Sequence, residues 1–115
     1  MSSTKLLDFV NDHIKIRDIY IPAMILFLIN NKGKGTKNQI AKLIYIFEHK
    51  KSVEEYEEIV EKMAAYILKE YGIVEEREEY HLTEWPLKDI EYQYILKKCM
   101  YSLDGFFIEV SRYNL

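Results

Sequence analysis

The sequence predicts a mainly α-helical domain that carries a small β-hairpin. Three observations lead there. Gly and Pro are scarce, four and two in 115 residues, so few loops interrupt the chain. Apolar residues recur at three- and four-residue spacing along most of its length. After Gly72 that period gives way to two short apolar segments, Ile73-Val74 and Tyr80-His81-Leu82, around a charged connection.

Taken in order, Ser2, Ser3 and Thr4 precede Leu6, Leu7, Phe9, Val10 and Ile14, whose spacing suits a short helix capped by a hydroxyl. A second helix starts near Asp18. Pro22 lies in its first turn, where the missing amide hydrogen costs nothing. Its run from Ile21 to Ile29 is apolar on nearly every face and marks the central core helix. Asn30-Asn31-Lys32-Gly33 ends it, with glycine available for a left-handed cap.

Gly33-Lys34-Gly35 reads as a turn. Thr36-Lys37-Asn38-Gln39 then has the form of a capping box, a Thr three residues before a Gln. Ile40, Leu43, Ile44 and Phe47 mark the buried stripe of a helix ending near His49. Ser52-Val53-Glu54-Glu55 is a second capping box. Its helix carries Tyr56, Ile59, Val60, Met63, Ile67, Leu68 and Tyr71 inward, leaving Glu54, Glu55, Glu58, Glu61, Lys62, Ala65, Tyr66 and Lys69 outward, until Gly72 stops it.

Glu75-Glu76-Arg77-Glu78-Glu79 is too polar for a core and connects the hairpin. Thr83-Glu84-Trp85-Pro86 opens a last helix ending at Asp104-Gly105. That helix is apolar on two faces, Tyr92, Ile95, Cys99 and Leu103 on one and Leu87, Ile90, Tyr94 and Tyr101 on the other. Such a helix lies deep in a fold or meets a second chain, and a homodimer through residues 86–104 is expected. Phe106, Phe107, Ile108 and Val110 either form a strand or pack down. Helix, linker, helix and hairpin over Gly35–Leu82 is the order of a winged helix-turn-helix. The expectation is one winged-helix domain over residues 1–115, with its core in 18–82 and flanking helices on both sides.

Composition narrows the function. Hydrophobic residues make up 49% and charged ones 30%, which excludes a disordered chain. The single Cys99 has no internal disulfide partner, and its place on an apolar stripe suits a buried structural thiol better than a nucleophile. No secretory leader pattern opens the chain. The longest apolar run, Ile19 to Ile29, falls well short of the roughly 20 residues that span a bilayer. A cytoplasmic protein without membrane contact is expected.

His13, His49 and His81 lie far apart, so no metal-ligand spacing is present. Gly33-Lys34-Gly35-Thr36 lacks the spacing of a phosphate loop. Glu48-His49-Lys50 has the Glu-x-Lys form of metal-dependent nucleases, but it closes a helix and no neighbouring strand offers a second carboxylate. The pairs Glu54/Glu58 and Glu57/Glu61 lie on a solvated helix face. No catalysis, no cofactor and no metal are expected.

What remains is binding. Lys34, Thr36, Lys37, Asn38, Gln39 and Lys42 suit phosphate contacts around a helix N-terminus. Lys62, Tyr66 and Lys69 form a cationic-aromatic strip on the long helix, and Arg77 sits where a wing would reach DNA. Double-stranded DNA is therefore the expected partner.

The stretch from Leu6-Leu7-Asp8-Phe9 through His13-Ile14-Lys15-Ile16-Arg17-Asp18-Ile19-Tyr20-Ile21-Pro22-Ala23-Met24-Ile25-Leu26 carries a further signal. With Gly35-Thr36-Lys37-Asn38-Gln39-Ile40-Ala41, Tyr56-Glu57-Glu58-Ile59-Val60 and Tyr71-Gly72-Ile73-Val74, it resembles the winged-helix domains at the N-terminus of some HNH-type restriction endonucleases. The resemblance covers about residues 6–82. It implies a DNA-recognition module, in restriction-modification or in transcription regulation, with cutting left to a separate domain. The nuclease's paired histidines and asparagine do not occur.

Charge departs from that pattern. Residues 1–51 carry nine Lys and Arg against four Asp and Glu, a balance of +5, while residues 52–115 carry seven against fifteen, or −8. Five glutamates, Glu54, Glu55, Glu57, Glu58 and Glu61, open the long helix, and four surround Arg77. Carboxylates facing phosphate oppose binding. The alternative expectation is a protein-interaction module with an acidic contact surface.

Overall fold

A computed structural model describes residues 5–14 and 19–114, with side chains described as far as Asp104. The elements are α1 (Lys5–His13), α2 (Tyr20–Asn30), β1 (Lys34–Gly35), α3 (Lys37–Glu48), α4 (Val53–Ile59), a π turn (Val60–Ala64), α5 (Ala65–Glu70), β2 (Val74–Glu76), β3 (Tyr80–Leu82) and α6 (Asp89–Asn114). The fold is mainly α with a small antiparallel sheet, in winged helix-turn-helix order with a helix at each flank. The α1 cap expected among Ser2, Ser3 and Thr4, and the α2 start expected at Asp18, lie outside the described residues.

The core forms on α2, whose Ala23, Met24, Ile25 and Leu28 are fully buried. A single apolar cluster joins them to Leu6, Phe9 and Val10 of α1 and to Ile95, Cys99 and Leu103 of α6. The flanking helices thus complete the core instead of lying on it. Tyr56 is the largest fully buried side chain, and its hydroxyl accepts from the Lys50 amide at 3.0 Å. That bond meets the condition for burying a phenol.

Both capping boxes close. Thr36 Oγ1 accepts from the Gln39 amide at 3.1 Å, and Gln39 Oε1 accepts from the Thr36 amide at 2.9 Å. Ser52 and Glu55 exchange the same two bonds at 3.1 Å each. The bonds from Ser52, backbone first and then side chain, hold the Glu55 carboxyl below its usual range. Gly72, at φ +71, ends the long helix as its place in the sequence predicts.

The sheet has three strands in the order β1-β3-β2. The strand β1 replaces the turn expected at Gly33-Lys34-Gly35. Two residues are too few to show a period, and what allows them to pair is close packing. A Cβ on Gly35 would lie 2.5 Å from Phe27 Cε1. The hairpin also reaches further than its apolar ends, because Glu75 and Glu76 pair with His81 and Tyr80. Arg77, Glu78 and Glu79 make the turn, closed by the Arg77 amide donating to the Glu79 carbonyl at 3.0 Å.

The helix α6 differs from expectation at both ends. Thr83 and Glu84 form a turn instead of opening it. Thr83 Oγ1 donates to the Gly72 carbonyl at 2.7 Å, and Glu84 Oε1 accepts from the Leu6 amide at 3.1 Å. The helix begins at Asp89, beyond a cis Trp85-Pro86 bond. It then continues through Gly105 to Asn114, so no strand forms at Phe106, Phe107, Ile108 and Val110. One internal glycine costs only about 1 kcal/mol, too little to stop a long helix.

The long helix holds another departure. Tyr56, Val60, Ala64, Ala65 and Leu68 are buried, while Ile59, Met63 and Ile67 are half-buried and Tyr71 is exposed. Residues four apart drift by about 40° per step on an α-helix. The π turn takes up one extra residue and keeps Tyr56, Val60, Ala64 and Leu68 in line. Ala65, expected outward, consequently faces the core with no exposure.

Candidate nucleic-acid interface

The residues chosen as DNA contacts fall at the start of α3, along the long helix and on the hairpin. Asn38, Gln39 and Lys42 are exposed on α3, while Thr36 and Lys37 are half-buried. Thr36 and Gln39 spend their side-chain oxygens on the capping box. Lys62, Tyr66 and Lys69 all face outward, with Tyr66 56% exposed.

Most of these cations already have an anionic partner. Lys34 lies 3.9 Å from Glu79, Lys37 3.8 Å from Glu61, Lys62 4.0 Å from Glu58 and Lys69 2.9 Å from Glu76. Arg77 pairs with Glu75 of its own hairpin. Asn38 Nδ2 donates to Glu57 Oε2 at 3.3 Å. Such solvated pairs contribute about 0–1 kcal/mol each, so they act mainly by neutralising the surface. Lys42 differs from the other cations in this set, for it makes no ion pair with a described residue.

A groove of about 340 Å³ runs between the start of α3, α4 and the hairpin. Glu57, Glu76, Glu78 and Glu79 line it, against Lys37. Tyr80 forms part of its wall, its phenol pushed up to about 12 by burial and then by Glu76 and Glu61. A phosphate entering here would meet carboxylates on two sides.

The outer face of α3 has the opposite character. Gln39, Lys42 and Ile46 are exposed at helical spacing, with Ile46 65% exposed, and Lys50 is exposed in the turn beyond the helix end. Tyr45 stacks on His49 with ring centroids 5.5 Å apart, and Lys51 follows in the turn to α4. Lys42, Lys50 and Lys51 make no ion pair with a described residue. Glu48 turns the other way and accepts from the Tyr20 hydroxyl at 3.2 Å. Burial, and next Glu48, push that phenol up to about 12.

Tyr45, Ile46, His49, Lys50 and Lys51 were absent from the residues picked by sequence. A usable signal existed at Lys42. Positions 38, 39, 45 and 46 around it are Asn, Gln, Tyr and Ile, so no carboxylate is available at helical spacing.

The remaining reactive groups do not converge. The Cys99 thiol is buried against apolar neighbours, which pushes it up to about 12. Glu48 and His49 diverge, His49 taking a left-handed φ of 49° at the helix end. Among the described residues, no group of three or more His, Cys, Asp and Glu side chains is placed to hold a metal ion. None of the described helices is long and apolar enough to cross a membrane. Comparison of the chain with protein families, with curated proteins and with solved structures finds no match.

Proposed function

We propose that the chain is a non-catalytic winged-helix module that binds double-stranded DNA in the cytoplasm. The observation that carries this reading is placement. The cations selected by the helix-turn-helix pattern, Lys34, Lys37, Lys42, Lys62, Lys69 and Arg77, all lie on the solvent side. Of these, Lys42 on α3 is the one without a carboxylate partner among the described residues, near the likewise unpaired Lys50 and Lys51. Where a carboxylate partner is present, the pair contributes about 1 kcal/mol or less, so it neutralises its cation more than it anchors it. The resemblance to the N-terminal domains of HNH-type restriction endonucleases supports the same ligand and suggests a targeting or regulatory role.

Titration of a randomised duplex pool at low salt tests the proposal. Binding should weaken steeply as salt rises, because phosphate contacts release counterions. Absence of binding at the lowest salt rejects it.

The acidic groove favours a second reading, a module that takes a basic segment of a partner protein. Four carboxylates around Lys37 give such a segment complementary charge. A lysine- and arginine-rich peptide should then bind, and the pair Glu76→Lys with Glu78→Lys, both in the groove, should abolish binding. An unchanged isotherm in that variant removes the reading.

A homodimer through α6 belongs to the same proposal. Ile90 (78% exposed), Tyr94 (38%) and Tyr101 (62%) form a stripe opposite the buried Ile95, Cys99 and Leu103. Sedimentation should show mass rising with concentration, and Ile90→Glu with Tyr101→Glu should return the monomer. A concentration-independent monomer in the unmodified chain excludes it.

A further inference from the structure

Resting on the DNA reading above, we infer that the outer face of α3 and the turn after it hold the DNA backbone, while the long helix and the hairpin tip do not. Charge is the first reason. Lys62, Lys69 and Arg77 are each engaged by a glutamate close by, and the same helix and hairpin carry Glu54, Glu55, Glu57, Glu61, Glu78 and Glu79 besides. Freeing one of these cations for a phosphate leaves its carboxylate facing that phosphate. The gain from counterion release is then largely cancelled.

Lys42 on α3 and Lys50 in the turn after it escape that cancellation: both are exposed, Lys42 beside Gln39 and Ile46, and neither makes an ion pair with a described residue. Glu48, the one carboxylate within α3, turns away from this face to accept from the Tyr20 hydroxyl.

Shape is the second reason. From Lys42 to the end of α3 at Glu48 the helix rises about 9 Å at 1.5 Å per residue, and Lys50 follows in the turn beyond His49. A DNA strand advances roughly 3.4 Å per nucleotide, so that rise spans more than one phosphate. Between the two cations, the stacked Tyr45 and His49 and the exposed Ile46 offer flat and apolar surface to deoxyribose. The Tyr45 hydroxyl adds a donor for phosphate. The duplex then lies along the first helix of the helix-turn-helix, whereas in the usual arrangement the second helix enters the major groove.

Two double variants of the full chain separate the faces, with anisotropy of a labelled duplex pool as the readout. All four lysines are exposed, and thermal melting checks that each variant folds. Lys42→Gln with Lys50→Gln should lower affinity by about tenfold or more at low salt and reduce the salt slope by about two. Lys62→Gln with Lys69→Gln should leave affinity within about twofold of the unmodified chain. Equal losses from both variants, or a loss confined to the second, overturn the assignment while leaving DNA binding in place. A chain that binds no duplex at low salt removes the DNA reading and the assignment together.

Discussion

Lys37 Nζ lies 3.8 Å from Glu61 Oε1, which ties the first turn of α3 to the π turn of the long helix. Both side chains are solvated, at 41% and 51% exposure, so the pair contributes about 1 kcal/mol at most. Its larger effect is to occupy a cation at the mouth of the groove. Glu61→Gln should therefore leave the melting temperature almost unchanged. If Lys37 lies near a phosphate in the complex, the same substitution should raise DNA affinity and steepen the salt slope by about one. Isotherms at several salt concentrations measure both quantities, and no change in either places Lys37 away from the phosphates.

Gly33 combines a left-handed φ of +80° with a close approach, since an added Cβ would lie 2.5 Å from Trp85 Cγ. Gly33→Ala should destabilise the fold by at least about 2 kcal/mol, through backbone strain and overpacking together. Urea denaturation gives the total. Repeating it in a Trp85→Ala background isolates the strain, because the ring is then absent. A loss that survives unchanged in that background assigns the whole effect to the backbone.

The two capping boxes should act independently. Thr36→Ala and Ser52→Ala are each expected to cost about 1 kcal/mol, and the double variant about the sum. Denaturant midpoints test this. A double variant markedly less stable than the sum would show that α3 and α4 form cooperatively through their caps.

Stability should fall at alkaline pH. Cys99, Tyr20 and Tyr80 have folded values raised to about 12, from 9.0 for the thiol and 10.0 for the phenols. The unfolded chain releases these protons first. Their contribution is complete below about pH 9 and is lost as pH rises toward 12. Melting between pH 8 and pH 11 should show the decline, shallower in Cys99→Ala. Glu55 works with the opposite sign. Its lowered value adds stability above 4.5, and that part disappears as pH falls through the folded value.

Much of the fold was legible in the sequence because it rests on local signals. Both capping boxes, the all-round apolar α2 and the Gly72 stop are each contained within a short stretch of chain. The strand β1 was not legible, since a two-residue strand has no period and depends on packing against Phe27. The true start of α6 depends on contacts of Thr83 and Glu84 with Gly72 and Leu6, far away in sequence. The candidate site shows the same division. That Lys62 meets Glu58 follows from their four-residue spacing. That Glu61 takes Lys37 and Glu79 takes Lys34 follows only from the fold, and those pairs decide how much positive charge each face retains.

The π turn at Val60–Ala64 makes the long helix sensitive to how many residues it contains, more than to which ones they are. Deleting one residue there would let the turn relax to α-helical geometry while the helix beyond it keeps its buried face toward the core. Inserting one more residue would instead rotate everything beyond it by about 100°, swinging Ala65 and Leu68 out of the core and taking Lys69 away from Glu76 of the hairpin. This stretch should accept the loss of one residue far better than the gain of one, a constraint on length that no side-chain contact by itself would reveal.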